Sequence, residues 1–383
     1  MAITRASSTQ YEENRKARNL RAGLPICLAP WTSMFFKHDG TMMACCRNKT
    51  EAYGRYPDHS VAQAWEGLGR AMLAEQIRGE RLPPGCHDCE MNAATGNHTG
   101  MLACHFDSLA RDFSFDARGP LTMEFELGTN CNFECIMCSG WCSSSIRKNR
   151  EKLPPFHAPY DAKFVEQLRP YIPGLKDARF LGGEPFLNRL NFRVWKLLME
   201  LNPSAQVSIT TNGSILSDRV KEVITTLKAR IVVSLESLMP GNYEAIRVNG
   251  DIARLRRHLE WLLEHDALDS ITVCPIRQNW QDLPGIASFC NRNQVPVWFN
   301  TVVEPAHCSM KYMPVSELDE AIRYLSSAQI EPTPAHLTPR FDWSVEECNH
   351  RRYRDLVQLL IGWRAEALDR QSVELVQPDA RAP

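Results

Sequence analysis

From about residue 118 onward, apolar positions switch repeatedly between a period of two and a period near 3.6, so strands and helices alternate along the chain. Strands are predicted over 121–127, 178–181, 206–210, 230–235, 270–274 and 295–302, and helices over 161–171, 191–201, 217–228, 252–265 and 283–293. Several of these helices open on an Asp or Ser that can cap the first free backbone N–H groups. Six strands joined by five helices imply parallel pairing through right-handed crossovers, in a partial barrel or an open doubly wound sheet. Either arrangement collects reactive groups at the C-terminal ends of the strands, which singles out the loops at 128–142, 182–185 and 211–213. Beyond residue 314, helical patterns at 316–326 and 345–367 lead to the breaker-rich end QPDARAP.

The first hundred residues have a different texture. Residues 1–20 are polar and mixed in charge and read as a frayed arm. From Cys27 to Cys104 the chain is rich in Gly, Pro and Cys, with one helical stretch over 60–78 on which Val61, Ala64, Trp65, Leu68, Met72 and Ile77 recur at helical spacing. So little apolar pattern predicts a module with little core of its own, stable only with bound metal. The expected organisation is therefore an arm at 1–20, a cysteine-rich module at 21–110, a strand–helix domain at 118–313 and a helical extension at 314–383.

Charge and composition narrow the function. The 44 Lys and Arg balance 45 Asp and Glu, so no net field draws the molecule to nucleic acid or to an anionic membrane. No run of eighteen apolar residues is present and the start lacks the apolar core of a signal peptide, so a cytoplasmic, membrane-free protein is expected. In that compartment 14 cysteines argue for metal ligation rather than disulfides. Six lie before residue 105 and four between 131 and 142, which predicts two metal-binding regions.

The strongest local signal is Cys131-Asn132-Phe133-Glu134-Cys135-Ile136-Met137-Cys138, three thiols in a loop leaving a strand. Thiolates are the ligands of iron–sulfur clusters, and three of them leave one iron of a cubane open. The competing arrangement is a closed four-thiolate site, zinc or cluster, completed by Cys142.

This CxxxCxxC loop after the first strand resembles the radical S-adenosylmethionine (radical SAM) superfamily, with the likeness running over about 118–310. The resemblance implies an α/β fold with a partial (β/α)6 TIM-like barrel. It further implies that Cys131, Cys135 and Cys138 hold a 4Fe-4S cluster whose fourth iron binds S-adenosyl-L-methionine. Reductive cleavage would then give a 5'-deoxyadenosyl radical that abstracts hydrogen from substrate, with a flavodoxin- or ferredoxin-type protein as electron donor. Phe133 and Met137 lie in the implied cofactor site, Met137 standing where the family usually has an aromatic residue. Leu181-Gly182-Gly183-Glu184-Pro185 resembles the family's glycine-rich motif, and Asn212, Ser234 and Glu236 end the next strands, with Glu236 in place of a shorter acid. Arg247, in Tyr243-Glu244-Ala245-Ile246-Arg247, is implied to meet the cofactor carboxylate. Ordinary turn and cap chemistry competes with each of these assignments. Cys308, just past the sixth strand, is placed to donate hydrogen to a product radical, or is a small buried hydrophobe.

Cys27, Gly40, Cys45 and the pair Cys86-His87-Asp88-Cys89 resemble the auxiliary-cluster modules called twitch and SPASM domains, the shorter twitch form fitting better because only Cys104 follows. The resemblance implies a second 4Fe-4S cluster on Cys27, Cys45, Cys86 and Cys89, although zinc accepts the same ligands. The module precedes the barrel here, whereas in the family it usually follows. The implied reaction is oxidation, crosslinking or epimerisation of a peptide or small molecule, the alternatives being a redox-neutral isomerase and a non-catalytic scaffold.

Overall fold

The computed structural model of the chain describes residues 6–116 and 118–376, so residues 1–5 of the expected arm and the breaker-rich end at 377–383 lie outside the described residues. The chain forms two compact units. The first comprises Met1–Asn130, Pro155–Ile209 and Thr226–Ala229, and the second Cys131–Pro154, Thr210–Thr225 and Arg230–Pro383.

In the first unit the strands are β1 (Ser33–Phe36), β2 (Thr41–Met43), β3 (Ala52–Arg55), β4 (Thr122–Phe125), β5 (Asp177–Phe180) and β6 (Gln206–Thr211), the last running into the second unit. β1 pairs antiparallel with β2 and parallel with β4, and β4, β5 and β6 continue the parallel ladder. The helices Ala162–Leu168 and Arg189–Leu201 make the crossovers, opened by the side chains of Asp161 and Asn188. Alternation along the strands sends Met123, Phe125, Ala178, Phe180, Val207 and Ile209 into the core, at most 1% exposed. Phe36, Phe125 and Phe180 share one register row and stack at 5.3 and 4.9 Å, and Trp195 meets Phe180 edge-on at 5.2 Å. Burying each such ring contributes about 1.5–3 kcal/mol.

That row corrects the reading of the N-terminal module as a region with little core. Met34, Phe36, Met42, Trp65, Leu73 and Ile77 are all buried there. β1 was missed because Ser33-Met34-Phe35-Phe36 is buried on both faces and so shows no period of two. The helix expected over 60–78 is two helices, Val61–Glu66 and Leu68–Arg78, separated by extended Gly67, where an added Cβ would lie 2.5 Å from the Gln63 carbonyl oxygen. The arm, too, is a folded element from Ser8 to Ala17, a helix begun by a Ser7–Gln10 capping box. Its Tyr11 donates to Glu90 at 2.6 Å, and the following Arg18 forks onto Asp107 at 2.5 and 2.9 Å.

The second unit contributes β7 (Arg230–Ser234), β8 (Leu268–Val273) and β9 (Val297–Phe299), all parallel, with crossover helices Ile252–Glu264 and Leu283–Arg292. β4 to β9 thus supply the six β/α repeats that the sequence predicts. The tail helix Val345–Val376 covers the backbone of β9. Asn349, fully buried, accepts from the Val297 N–H at 2.8 Å, and Arg352 donates to the Val297 carbonyl at 3.0 Å. An otherwise open strand edge is thereby satisfied. Among the described residues no helix is long and apolar enough to cross a membrane.

Candidate functional site

The loop after β4 begins in the first unit, where Gly128–Asn130 packs on Gly182-Gly183-Glu184. The Glu184 N–H donates to the Asn130 carbonyl at 2.6 Å, and a Cβ at Gly183 would come within 2.3 Å of the same oxygen. Gly182 has φ +123°, a backbone region closed to other residues. The two glycines are thus required for this close approach of loop to loop. Glu184 is buried, and its carboxylate accepts from the Phe186 N–H at 3.1 Å, capping the turn that follows.

From Cys131 the loop belongs to the second unit, where both sides of its backbone are fastened. On one side stand three serines at the head of the helix Ser144–Asn149. Ser144 Oγ accepts from the Cys131 N–H at 3.1 Å, Ser145 donates to the Cys131 carbonyl at 2.7 Å, and Ser143 donates to the Phe133 carbonyl at 2.7 Å. On the other side, the N–H groups of Glu134 and Ile136 donate to the carbonyls of Val248 and Ile246, both at 3.0 Å. A loop held this way presents its thiols without further ordering, which favours ligand binding.

Cys131, Cys135 and Cys138 are each partly buried. Burial pushes the Cys135 thiol up to about 12, against the opposing pull of Arg247. Cys138 is raised by its hydrogen bond with Cys142 and then by burial. Metal must therefore displace protons from this loop on binding. Cys142 itself is exposed.

The remaining predicted residues fall into three settings. Asn212 donates to Asn132 Oδ1 at 3.0 Å and lies 4.0 Å from Cys131 Sγ, while Ser214 closes the same small network. Phe133 is buried, and Ser234 ends β7 partly exposed. Met137 packs with Ile136, Cys274 and Val302 on a fully buried cluster of Ile246, Ile276 and Cys308. Glu236 and Arg247 form a buried ion pair, so the guanidinium that the sequence offers to a cofactor carboxylate is already matched by an acid of the chain. The other Glu236 oxygen, Oε1, is buried with no hydrogen-bond partner. Asn279, fully buried, holds the carbonyls of Glu236 and Cys274 at 2.9 and 3.0 Å. Sequence reasoning missed Asn279 because nothing local marks it, and missed Ser143 to Ser145 although three consecutive serines before a helix are a capping signal.

In the first unit, Cys27, Cys45, Cys86 and Cys89 gather in one neighbourhood. Burial raises the thiols of Cys27, Cys45 and Cys86, Cys45 to about 12, and neighbouring thiols add to each. Cys27 feels Cys45 and Cys89, and Cys86 feels Cys27, Cys45 and Cys89. Cys104 donates to the His98 carbonyl at 3.1 Å, and Cys46 turns to Glu124, whose carboxyl burial pushes up to about 7.

Both cysteine groups fit iron–sulfur clusters by the chemistry of their donors, which are thiols throughout. Among the described residues no three His, Cys, Asp or Glu side chains converge on one point as ligands of a single ion do, but a cubane is held by thiolates spread over its several irons. The unpartnered Glu236 Oε1 near Cys135 is a further acceptor available to a bound group.

Comparison with known proteins matches residues 125–290 to the Radical SAM superfamily and residues 27–90 to the iron-sulfur cluster-binding SPASM domain. The chain is similar to GTP 3',8-cyclase of Clostridium botulinum (strain Hall), 24% identical over 214 residues, or 55% of this chain and 62% of that protein. It is also similar to the probable GTP 3',8-cyclase of Methanocaldococcus jannaschii, 25% identical over 180 residues, or 44% of this chain and 54% of that protein. The chain therefore spans less than two thirds of the length of these curated relatives. Among solved structures, SuiB of Streptococcus suis bound to S-adenosylmethionine aligns at 16% identity and a TM-score of 0.42, covering 74% of this chain and 66% of that one.

Proposed function

We propose, from the match of residues 125–290 to the Radical SAM superfamily, that this chain is a radical SAM enzyme in which Cys131, Cys135 and Cys138 hold a 4Fe-4S cluster open at one iron to S-adenosylmethionine. The observation that carries this reading is the loop itself, three partly buried thiols on a backbone fastened by Ser143 to Ser145 and by Ile246 and Val248. When bound, the cluster and cofactor supply reductive cleavage of a sulfonium and removal of a hydrogen atom from substrate. The chain's part is to position and to exclude water. Phe133 and Met137 give the site apolar walls, Gly182 and Gly183 keep the neighbouring loop close to Asn130, and Asn212 orders Asn132 beside Cys131. In the second unit Ser234 and Glu236 are the further residues we assign to the cofactor, Arg247 being held by Glu236, and in the first unit Glu184 caps the turn after the glycines.

In the same reading Cys27, Cys45, Cys86 and Cys89 hold a second 4Fe-4S cluster, supported by the SPASM match over 27–90. An auxiliary cluster favours oxidation, crosslinking or epimerisation of a peptide or small molecule over a redox-neutral rearrangement. The names of the curated relatives favour the second reading, an isomerase-type reaction on a nucleotide. An electron donor of the flavodoxin or ferredoxin type and the reducing cytoplasm suit both.

Anaerobic reconstitution with iron, sulfide, S-adenosylmethionine and dithionite separates an enzyme from a scaffold, since only an enzyme yields 5'-deoxyadenosine. Cys142→Ala is expected to keep both the iron content and that yield, since the exposed Cys142 is no ligand in this reading. Iron lost from the Cys142→Ala protein would instead make Cys142 a fourth ligand and close the iron that the cofactor needs.

A further inference from the structure

The hydrogen bonds from Glu134 to Val248 and from Ile136 to Ile246 share one antiparallel register, and that register sets Cys135 directly opposite Arg247. Arg247 is buried and cannot release its proton, so a fixed positive charge stands opposite Cys135 and is felt by Cys138 as well. Its Nε donates to Glu236 Oε2, and Glu236 is itself 1% exposed. A turn closed by the Gly250 N–H on the Arg247 carbonyl at 2.7 Å, and Asn249 reaching the Asn132 carbonyl at 3.5 Å and Glu134 Oε1 at 3.3 Å, hold the segment in place. On the solvent side, Arg150 donates to the carbonyls of Glu134 and Cys135 at 3.2 and 3.4 Å.

We propose that the buried Glu236–Arg247 pair sets the reduction potential of the cluster bound at Cys131, Cys135 and Cys138, with Arg247 as the charge and Glu236 as the positioning residue that neutralises it. The inference rests on the reading that Cys131, Cys135 and Cys138 hold a 4Fe-4S cluster. The potential of such a cluster follows the net charge and hydrogen bonding around its sulfurs. Removing Arg247 alone is a poor probe, because it leaves Glu236 buried without its partner and so disturbs more than one charge. Removing Glu236 leaves the arginine charge uncompensated, because a guanidinium stays protonated.

The test is EPR-monitored redox titration of the reconstituted full-length protein without S-adenosylmethionine. Glu236→Gln is expected to raise the potential of the Cys131–Cys138 cluster, and Glu236→Gln with Arg247→Gln to bring it back toward wild type. Arg150→Gln, on an exposed residue, is expected to lower it as a control for charge on this loop, and Glu236→Asp, which keeps the acid but draws it back from Arg247, is expected to raise it by less than Glu236→Gln and keeps the question answerable if that variant takes up no iron. A potential unmoved by both Glu236→Gln and Glu236→Asp would overturn the inference, as would a double variant shifted as far as the single one. A wild-type protein with no cluster signal from Cys131, Cys135 and Cys138 would overturn the underlying reading instead.

Discussion

Replacing Cys131, Cys135 and Cys138 together with Ala is expected to abolish 5'-deoxyadenosine formation while about four irons remain, the content of one cubane. The loss should be complete rather than graded, because these thiols are the only cysteines that the fastened loop presents besides exposed Cys142. In the proposed reading the remaining iron would be that of Cys27, Cys45, Cys86 and Cys89, which lie in the other compact unit of the chain. The fold should survive, since the loop is held through its backbone and through Ser143 to Ser145 rather than through its thiols. Cleavage retained in the triple variant, measured by chromatography of the quenched mixture, would remove these cysteines from the reaction.

Phe36→Ala is expected to destabilise the protein by about 3–5 kcal/mol, the range for truncating a fully buried aromatic ring. Phe36 stacks on Phe125 and meets Phe164 edge-on at 5.0 Å, so its removal opens a cavity in the row that ties β1 to β4. Denaturant melts compared with wild type measure the loss. The same packing predicts that stripping metal loosens the cysteine loops but leaves β1 protected from hydrogen exchange together with β4. A value under about 1 kcal/mol, or early exchange of β1 on chelation, would return the N-terminal module to dependence on its metal.

What the sequence disclosed depended on how local the determining contacts were. β6 was legible because Gln206 to Thr211 alternates between exposed and buried positions, whereas β1 was not, because both of its faces are covered. The cysteine loop declared itself through spacing, since Cys131, Cys135 and Cys138 recur at short intervals on one loop. Arg247 was read as free to meet a cofactor, but Glu236, eleven residues away, is its partner, a match that no local pattern reveals. Gly183 stood out only as part of a glycine-rich motif, and in the fold its missing side chain makes way for the Asn130 carbonyl. The helix Ser8–Ala17 carries few apolar residues and is held down by Tyr11, Asn14 and Arg18, all polar contacts at long range.

The central claim is that one of two clusters has an iron without a protein ligand, and Mössbauer spectroscopy of anaerobically reconstituted, 57Fe-enriched protein tests it most directly. With about eight irons in two cubanes, adding S-adenosylmethionine should shift the signal of about one iron in eight and leave the rest unchanged. In the triple variant of Cys131, Cys135 and Cys138 the same addition should shift none. A wild-type spectrum indifferent to S-adenosylmethionine, or an equal shift in the triple variant, would contradict the assignment of the open iron to this loop.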